Sequence, residues 1–315
     1  MVFGIQRLRG RLDYLLDRKV KRGLESVKAS VLDSLRIGLY ELLYMGGVPE
    51  YAAVSQAVDL AQSKGGRGVS GLANAVLRGI ARDGGGPEHF PDPETHPVEF
   101  LSTWGSHPRW LVERWLARWS VDEVRKLIEA NNGVPPLSLR CLWDTPEEAK
   151  EALETRQIHA SVVGLGTGCV VIPGHVSLEE AMRAVPAVVQ DPAAALVGSY
   201  ADPGPEARVA DLCAAPGGKT LALAARGNVV LAADRSIERL RLVRENVDRV
   251  REQGRRPVRV STVQADALAP AVSRPDMLLL DVPCTGTGTL RRNPDIRWKL
   301  TPDRLDEMAA LQGGM

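Results

Sequence analysis

Asp211-Leu212-Cys213-Ala214-Ala215-Pro216-Gly217-Gly218-Lys219-Thr220 is the stretch that decides the fold. It begins within an apolar run, Arg208 to Leu212, and leads into a helical pattern, so it turns a strand into a helix. Small residues at such a turn let the backbone approach a ligand while the first helical amides face it. Three more apolar runs follow, Val229 to Ala233, Val258 to Val263 and Met277 to Leu280, and helical segments separate the first three of the four. This β-α-β-α-β rhythm predicts an α/β domain with a parallel, doubly wound sheet. Each run has an acid at its end or close behind it: Asp211, Asp234, Asp266 and Asp281. Ligands of such sheets bind beyond the carboxyl ends of the strands. One acid in that position is usually a helix cap; four in series make a site.

The loop is not the dinucleotide fingerprint, which needs glycines spaced G-x-G-x-x-G. It comes close to the phosphate loop G-x-x-x-x-G-K-[ST], because Gly218-Lys219-Thr220 matches its end. The first required glycine falls on Cys213, however, and Pro216 stiffens the loop, so a nucleotide hydrolase is a weaker reading. Asp234 stands 23 residues after Asp211 and is placed either to hold a ribose or to cap the helix beginning near Ile237. A second string, Asp281-Val-Pro-Cys284-Thr-Gly-Thr-Gly288, precedes Arg291-Arg292-Asn-Pro-Asp-Ile-Arg-Trp298. A cysteine just past a strand end, beside a carboxylate and near arginines, is placed for nucleophilic or acid–base work. Cys141, Cys169 and Cys213 read as small core residues.

Upstream, residues 1–85 are helical by period. Val31, Leu35, Leu39, Leu42 and Leu43 form one apolar stripe; Ala53, Val54, Ala57, Val58 and Ala61 a second; Leu72, Ala73, Val76, Leu77 and Ile80 a third. Gly46-Gly47-Val48-Pro49 and Gly65-Gly66 break them, and Asp83-Gly84-Gly85-Gly86-Pro87 reads as a linker. Period alone leaves open whether such a bundle binds RNA, binds protein or only scaffolds. Residues 106–130 are helical again; four of the six tryptophans lie in 104–119 and read as core. Between Pro135 and Pro186, strand-like runs (Leu137 to Leu142, Gly168 to Ile172) and a helical Thr145 to Thr155 predict a small α/β module.

The 315 residues hold 40 Lys+Arg against 39 Asp+Glu, with 44% hydrophobic and 25% charged residues. That excludes a wholly disordered chain and indicates two or three domains. No stretch approaches the ~18 apolar residues of a membrane span, no secretory signal opens the chain, and the four scattered cysteines fit neither a disulfide framework nor a metal site. A reduced, cytoplasmic protein without metal is expected. Basic patches at residues 1–30, at 235–259 (nine arginines against four acids) and at Arg291 to Lys299 point to phosphate, and hence nucleic acid, as a partner.

In combination, Asp211 to Thr220, Asp281 to Gly288 and Arg291 to Trp298 resemble the Nop/Sun family of RNA 5-methylcytosine methyltransferases. Gln190-Asp191-Pro-Ala resembles the family's Gln-Asp-x-Ala-Ser stretch, and Pro108-Arg-Trp-Leu with Asn131 through Arg140 its RNA-binding subdomain. Ala52-Ala-Val-x-x-Ala-Val and Leu72-Ala-Asn-Ala-Val-Leu-Arg78 look like a NusB-type helical domain, as in the family's bacterial small-subunit ribosomal RNA branch. The resemblance implies a NusB-like helical domain at 1–88, a linker and small α/β RNA-binding subdomain at 89–190, and a Rossmann-like methyltransferase domain at 191–315.

It further implies S-adenosylmethionine as cofactor and ribosomal RNA as substrate. Cys213, Ala214, Ala215, Pro216, Gly217, Gly218 and Lys219 would line the cofactor site, Asp234 would hold the ribose, Asp266 would sit by the adenine and Asp281 near the methionine end. Arg291 and Arg292 would meet RNA. In the family a cysteine thiolate adds to carbon 6 of cytosine, carbon 5 takes the methyl group, and a protonated carboxyl in the position of Asp281 assists at ring nitrogen 3. Cys284 matches the cysteine that aids product release. The family's nucleophile lies in a later Thr-Cys-Ser string, whereas no cysteine follows Cys284 here. The expectation is therefore a truncated or frame-shifted enzyme with an incomplete sheet, an exposed apolar edge and impaired methyl transfer. Its rivals are a catalytically inactive RNA-binding protein and, less favoured, the nucleotide hydrolase.

Overall fold

The computed structural model describes residues 1–315 except His175, Gly254 and Arg255; Arg255 belongs to the second basic patch, and its part there lies outside the described residues. Two compact units form, Met1–Val134 with Thr285–Arg304, and Pro135–Cys284 with Leu305–Met315. This partition cuts the expected middle segment at Val134.

In the first unit, α1 (Val2–Asp17), α2 (Ala29–Tyr44), α3 (Glu50–Gly65) and α4 (Arg67–Asp83) form a bundle. The apolar residues recur at helical spacing, and Leu12, Leu16, Leu35, Leu39, Leu77 and Ile80 are almost wholly buried. Leu72, expected in the third stripe, lies instead on the exposed side of α4. Close packing of α2 on α3 depends on Gly38, where a Cβ would stand 2.3 Å from that of Ala57. Glycine ends α3 and α4 as expected: Gly66 and Gly84 are their C-caps. Three short helices follow, α5 (Pro97–Thr103), α6 (Arg109–Leu116) and α7 (Val121–Asn132), the last opened by a Ser120–Glu123 capping box. Trp104, Trp110 and Trp115 are half-buried among them and Trp119 is exposed.

The second unit opens with β1 (Leu137–Cys141), α8 (Pro146–Glu154), β2 (Ser161–Val163), β3 (Cys169–Ile172), α9 (Leu178–Ala184) and β4 (Ala187–Val189). These make an antiparallel sheet in the order β2-β3-β1-β4. The three-residue β2 and β4 are too short to show a period and were not foreseen from sequence. After α10 (Pro192–Tyr200) come β5 (Arg208–Asp211), α11 (Gly218–Ala224), β6 (Val229–Asp234), α12 (Ile237–Glu252), β7 (Arg259–Gln264) and β8 (Met277–Leu279). The four strands are parallel, in the order β7-β6-β5-β8. The right-handed crossover rule needs helices on such a sheet, and α12 supplies one with Leu240, Val243, Val247 and Val250 buried at i, i+3, i+7 and i+10. β8 is an edge strand whose Leu278 is 46% exposed. No described helix is long and apolar enough to cross a membrane.

Candidate active site

The carboxyl ends of β5, β6, β7 and β8 frame a cavity of about 370 Å³. Cys213, Ala215, Asp234, Asp266, Asp281 and Cys284 all line it, so Cys213 and Cys284, 71 positions apart in sequence, meet there. A smaller cavity of about 190 Å³ lies alongside and shares Cys213, Ala215 and Asp281 with the first. Ala214, Pro216, Gly218 and Lys219 line only this second cavity. Gly217 lines neither. It is the N-cap of α11 at φ +101°, against Val243, where a side chain would be both strained and crowded.

Asp234 ends β6 with 3% of its surface exposed; its Oδ1 accepts the Ser236 amide at 3.0 Å. The helix cap itself is Ser236, whose hydroxyl accepts from the Arg239 amide, so the cap reading passes from Asp234 to Ser236. Asp234 Oδ2 faces Arg239 at 3.5 Å, and Arg239 also donates to the Ala215 carbonyl at 2.8 Å. Arg235 and Arg239 line the main cavity, yet among nine clustered arginines no spacing marked these two. Asp266 turns its Oδ1 to the Leu268 amide at 3.0 Å.

At the base of the loop Asp211 is 1% exposed and accepts the Thr220 hydroxyl at 2.7 Å. Burial pushes its carboxyl up to about 6, with Asp281 adding to the rise and Thr220 opposing it. This pairing disposes of the phosphate-loop reading: a hydroxyl that must bind magnesium is instead buried and donated to a carboxylate. Lys219 reaches the exposed Asp281 at 2.6 Å, a link between the two strings that sequence did not foresee. Burial, with the nearby carboxylates, also pushes the Cys213 thiol up, in keeping with an inert cysteine. Cys284 is exposed at the cavity mouth. Cys141 and Cys169 lie away from it, and burial drives the Cys141 thiol to about 12.

The basic patches are less available than their composition implies. Arg297 has 0% exposure and donates to Arg7 O, Ser106 O, Leu290 O, Asn131 O and Asn132 Oδ1. Arg7 and Arg11 donate to the carbonyls of Arg291 and Trp104, and Lys299 pairs with Asp295 at 2.7 Å. In α12, Arg249 and Arg251 bond the carbonyls of Ala187, Val258 and Val260. Arg291 is exposed but gives one N–H to Val134 O at 3.0 Å, and Arg292 is half-buried.

A parallel sheet carrying acids at its strand ends, with an Ala-Pro-Gly-Gly-Lys loop and an Asp-x-Pro-Cys string meeting at two adjoining cavities, is the arrangement of an α/β methyltransferase. Three family models match in succession: the NusB family over residues 1–82, an RsmF/B-like ferredoxin-like domain over 107–179, and the 16S rRNA methyltransferase RsmB/F over 199–315. Ribosomal RNA small subunit methyltransferase B of Pseudomonas putida is 33% identical over 330 residues, which cover 99% of this chain and 71% of that protein. The probable enzyme of the same description from Synechocystis is 31% identical, with 99% and 71% covered. The crystal structure of PH0851 superposes with a TM-score of 0.77 at 26% identity, over 99% of this chain and 71% of that one. The chain belongs to the family of ribosomal RNA small subunit methyltransferase B.

Proposed function

We propose that this protein transfers a methyl group from S-adenosylmethionine to carbon 5 of a cytosine in small-subunit ribosomal RNA. The observation that carries the reading is the convergence of Asp234, Asp266, Asp281 and Cys284 on one cavity at the carboxyl edge of the parallel sheet. Its volume falls in the range of roughly 300–1,000 Å³ that ligand pockets occupy. The lining suits the cofactor: the buried Asp234 carboxylate at the end of β6 would accept from ribose hydroxyls, Asp266 would accept from an adenine amine, and Leu212 and Ala267 would offer apolar wall. The bound cofactor supplies an electrophilic methyl group.

The chain's own residues orient the reactants. Lys219 holds the Asp281 carboxylate at 2.6 Å, and Asp281 lies where the two cavities meet. A pyrimidine entering from the second cavity would bring its ring nitrogen to that side chain, which in its protonated form would donate to nitrogen 3 as negative charge develops on the ring. The exposed Cys284 thiol assists release of the methylated base. Such a target must first be unstacked from its helix.

The strings of the resemblance, Asp211 to Thr220, Asp281 to Gly288 and Arg291 to Trp298, are present; a cysteine after Cys284 is not among the 315 residues. This polypeptide is expected to bind the cofactor. The test incubates it with methyl-labelled S-adenosylmethionine and unmodified small-subunit ribosomal RNA, with a full-length relative as positive control. Tight cofactor binding is the expected outcome, and label in 5-methylcytosine supports methyl transfer. Robust label abolished by Cys284→Ser would make Cys284 the nucleophile, and failure to bind cofactor would sink the reading.

A further inference from the structure

Gln190 follows β4, has 8% of its surface exposed and lines the second cavity. Its amide orientation is fixed. Arg140, 4% exposed on β1, donates Nη1 to Gln190 Oε1 at 3.1 Å and Nη2 to Ser199 Oγ at 3.2 Å. A guanidinium has no acceptor, so only the amide oxygen can face it and the NH2 group must point the other way. Gly198 gives Arg140 its room, since a Cβ there would lie 2.6 Å from Nη1. The Gln190 amide hydrogen bonds to Ser138 O at 3.2 Å and holds the backbone in place. Gln190 Nε2 ends beside Gly218, where a Cβ would stand 3.2 Å away, and it makes no hydrogen bond among the described residues. The result is a buried amide locked as a donor and aimed into a cavity.

The charged residues around that cavity are Asp191, Asp211 and Asp281 against Lys219, and Lys219 is already paired with Asp281. Three acids against one engaged base disfavour an anion. They suit a neutral heterocycle with a carbonyl acceptor on one edge and an amine on another, its faces between Val189, Ala194 and Pro216. We propose that Gln190, held by Arg140, binds the target pyrimidine by donating its Nε2–H to the ring carbonyl at position 2, leaving the exocyclic amine to the carboxylates. This rests on the methyltransferase reading above and adds a base-positioning residue to it. Negative charge that reaches the position-2 carbonyl when a thiolate adds to carbon 6 meets the same donor, so the contact would strengthen in that step.

Cytidine 5′-monophosphate is the probe, titrated calorimetrically into the 315-residue chain with and without S-adenosylhomocysteine. Gln190→Glu keeps a partner for Arg140 but replaces the donor by an acceptor, and Gln190→Met removes the donor without adding charge. Both are expected to weaken nucleotide binding about tenfold or more, with S-adenosylhomocysteine affinity and melting temperature at wild-type values for Gln190→Glu. 2-Thiocytidine monophosphate, a poor acceptor at position 2, should lose affinity for the wild type and not for Gln190→Met. Unchanged nucleotide affinity in both variants, or no nucleotide binding by the wild type, overturns the proposal. Loss of S-adenosylhomocysteine affinity in both variants would make the cofactor's amino-acid end the occupant and overturn it too. If S-adenosylhomocysteine fails to bind the wild type while Gln190-dependent nucleotide binding persists, the methyl-donor reading falls and Gln190 stands as a pyrimidine ligand.

Discussion

Asp211 carries the clearest electrostatic signature near the site. Its folded pKa, about 6, stands above the ~3.9 of an unfolded aspartate because burial outweighs the Thr220 hydrogen bond. Between those two values the folded chain keeps a proton that the unfolded chain has lost. The stability tied to this group is thus fully present below about pH 4, falls as pH rises to about 6, and stays low beyond. Asp211→Asn, which cannot ionise, should gain on the wild type by on the order of 2–3 kcal/mol between pH 4 and 7 in chemical denaturation. A gap that stays constant over that range would mean the buried carboxyl ionises normally. Sequence marked Asp211 as one of four acids at strand ends, but its burial and its Thr220 partner emerge only from the packing of α11 on β6 and β7. Asp234 was similarly open between ribose ligand and helix cap until Ser236 was found to hold the cap.

Among the elements, the return segment Thr285–Arg304 is the most misleading in sequence. Arg291 to Lys299 reads as a basic patch, yet its Arg297 is the buried clasp of the helical unit. Burial and the neighbouring Arg7 lower its pKa to about 9, and five acceptors still surround the charge. Arg297→Met should leave several buried carbonyls unsatisfied and cost at least ~3 kcal/mol of unfolding free energy, read as a lower urea midpoint. A change within about 0.5 kcal/mol, the range of ordinary surface substitutions, would show that the clasp is not structural. Beside it His107 is buried, donates Nδ1–H to Gly105 O at 2.7 Å, and is driven down to about 3, so it stays neutral at physiological pH. The helices of this unit, by contrast, were legible from apolar period and glycine breaks, because amphipathic spacing is a local property. Short strands such as β2 and β4 were not, since three residues carry no period.

At the scale of the whole molecule, a net charge of +1 and the internal engagement of many arginines predict RNA binding through few phosphate contacts. If Arg291 meets a phosphate, Arg291→Gln should weaken RNA binding evenly across sequences and reduce the slope of log affinity against log salt by about 0.7–0.9. An unchanged slope would confine Arg291 to its bond with Val134.

The sequence by itself determined the class of fold, the order of helices and parallel strands, and the two strings that meet at the cavity, because periodicity, glycine breaks and strand-end acids are written locally. Tertiary structure alone decided which charges are available. It buried Arg297, paired Lys219 with Asp281, gave Thr220 to Asp211 and turned the Gln190 amide towards a cavity. Hydrogen-bond partners come from residues between 9 and 290 positions away, and no local pattern encodes them.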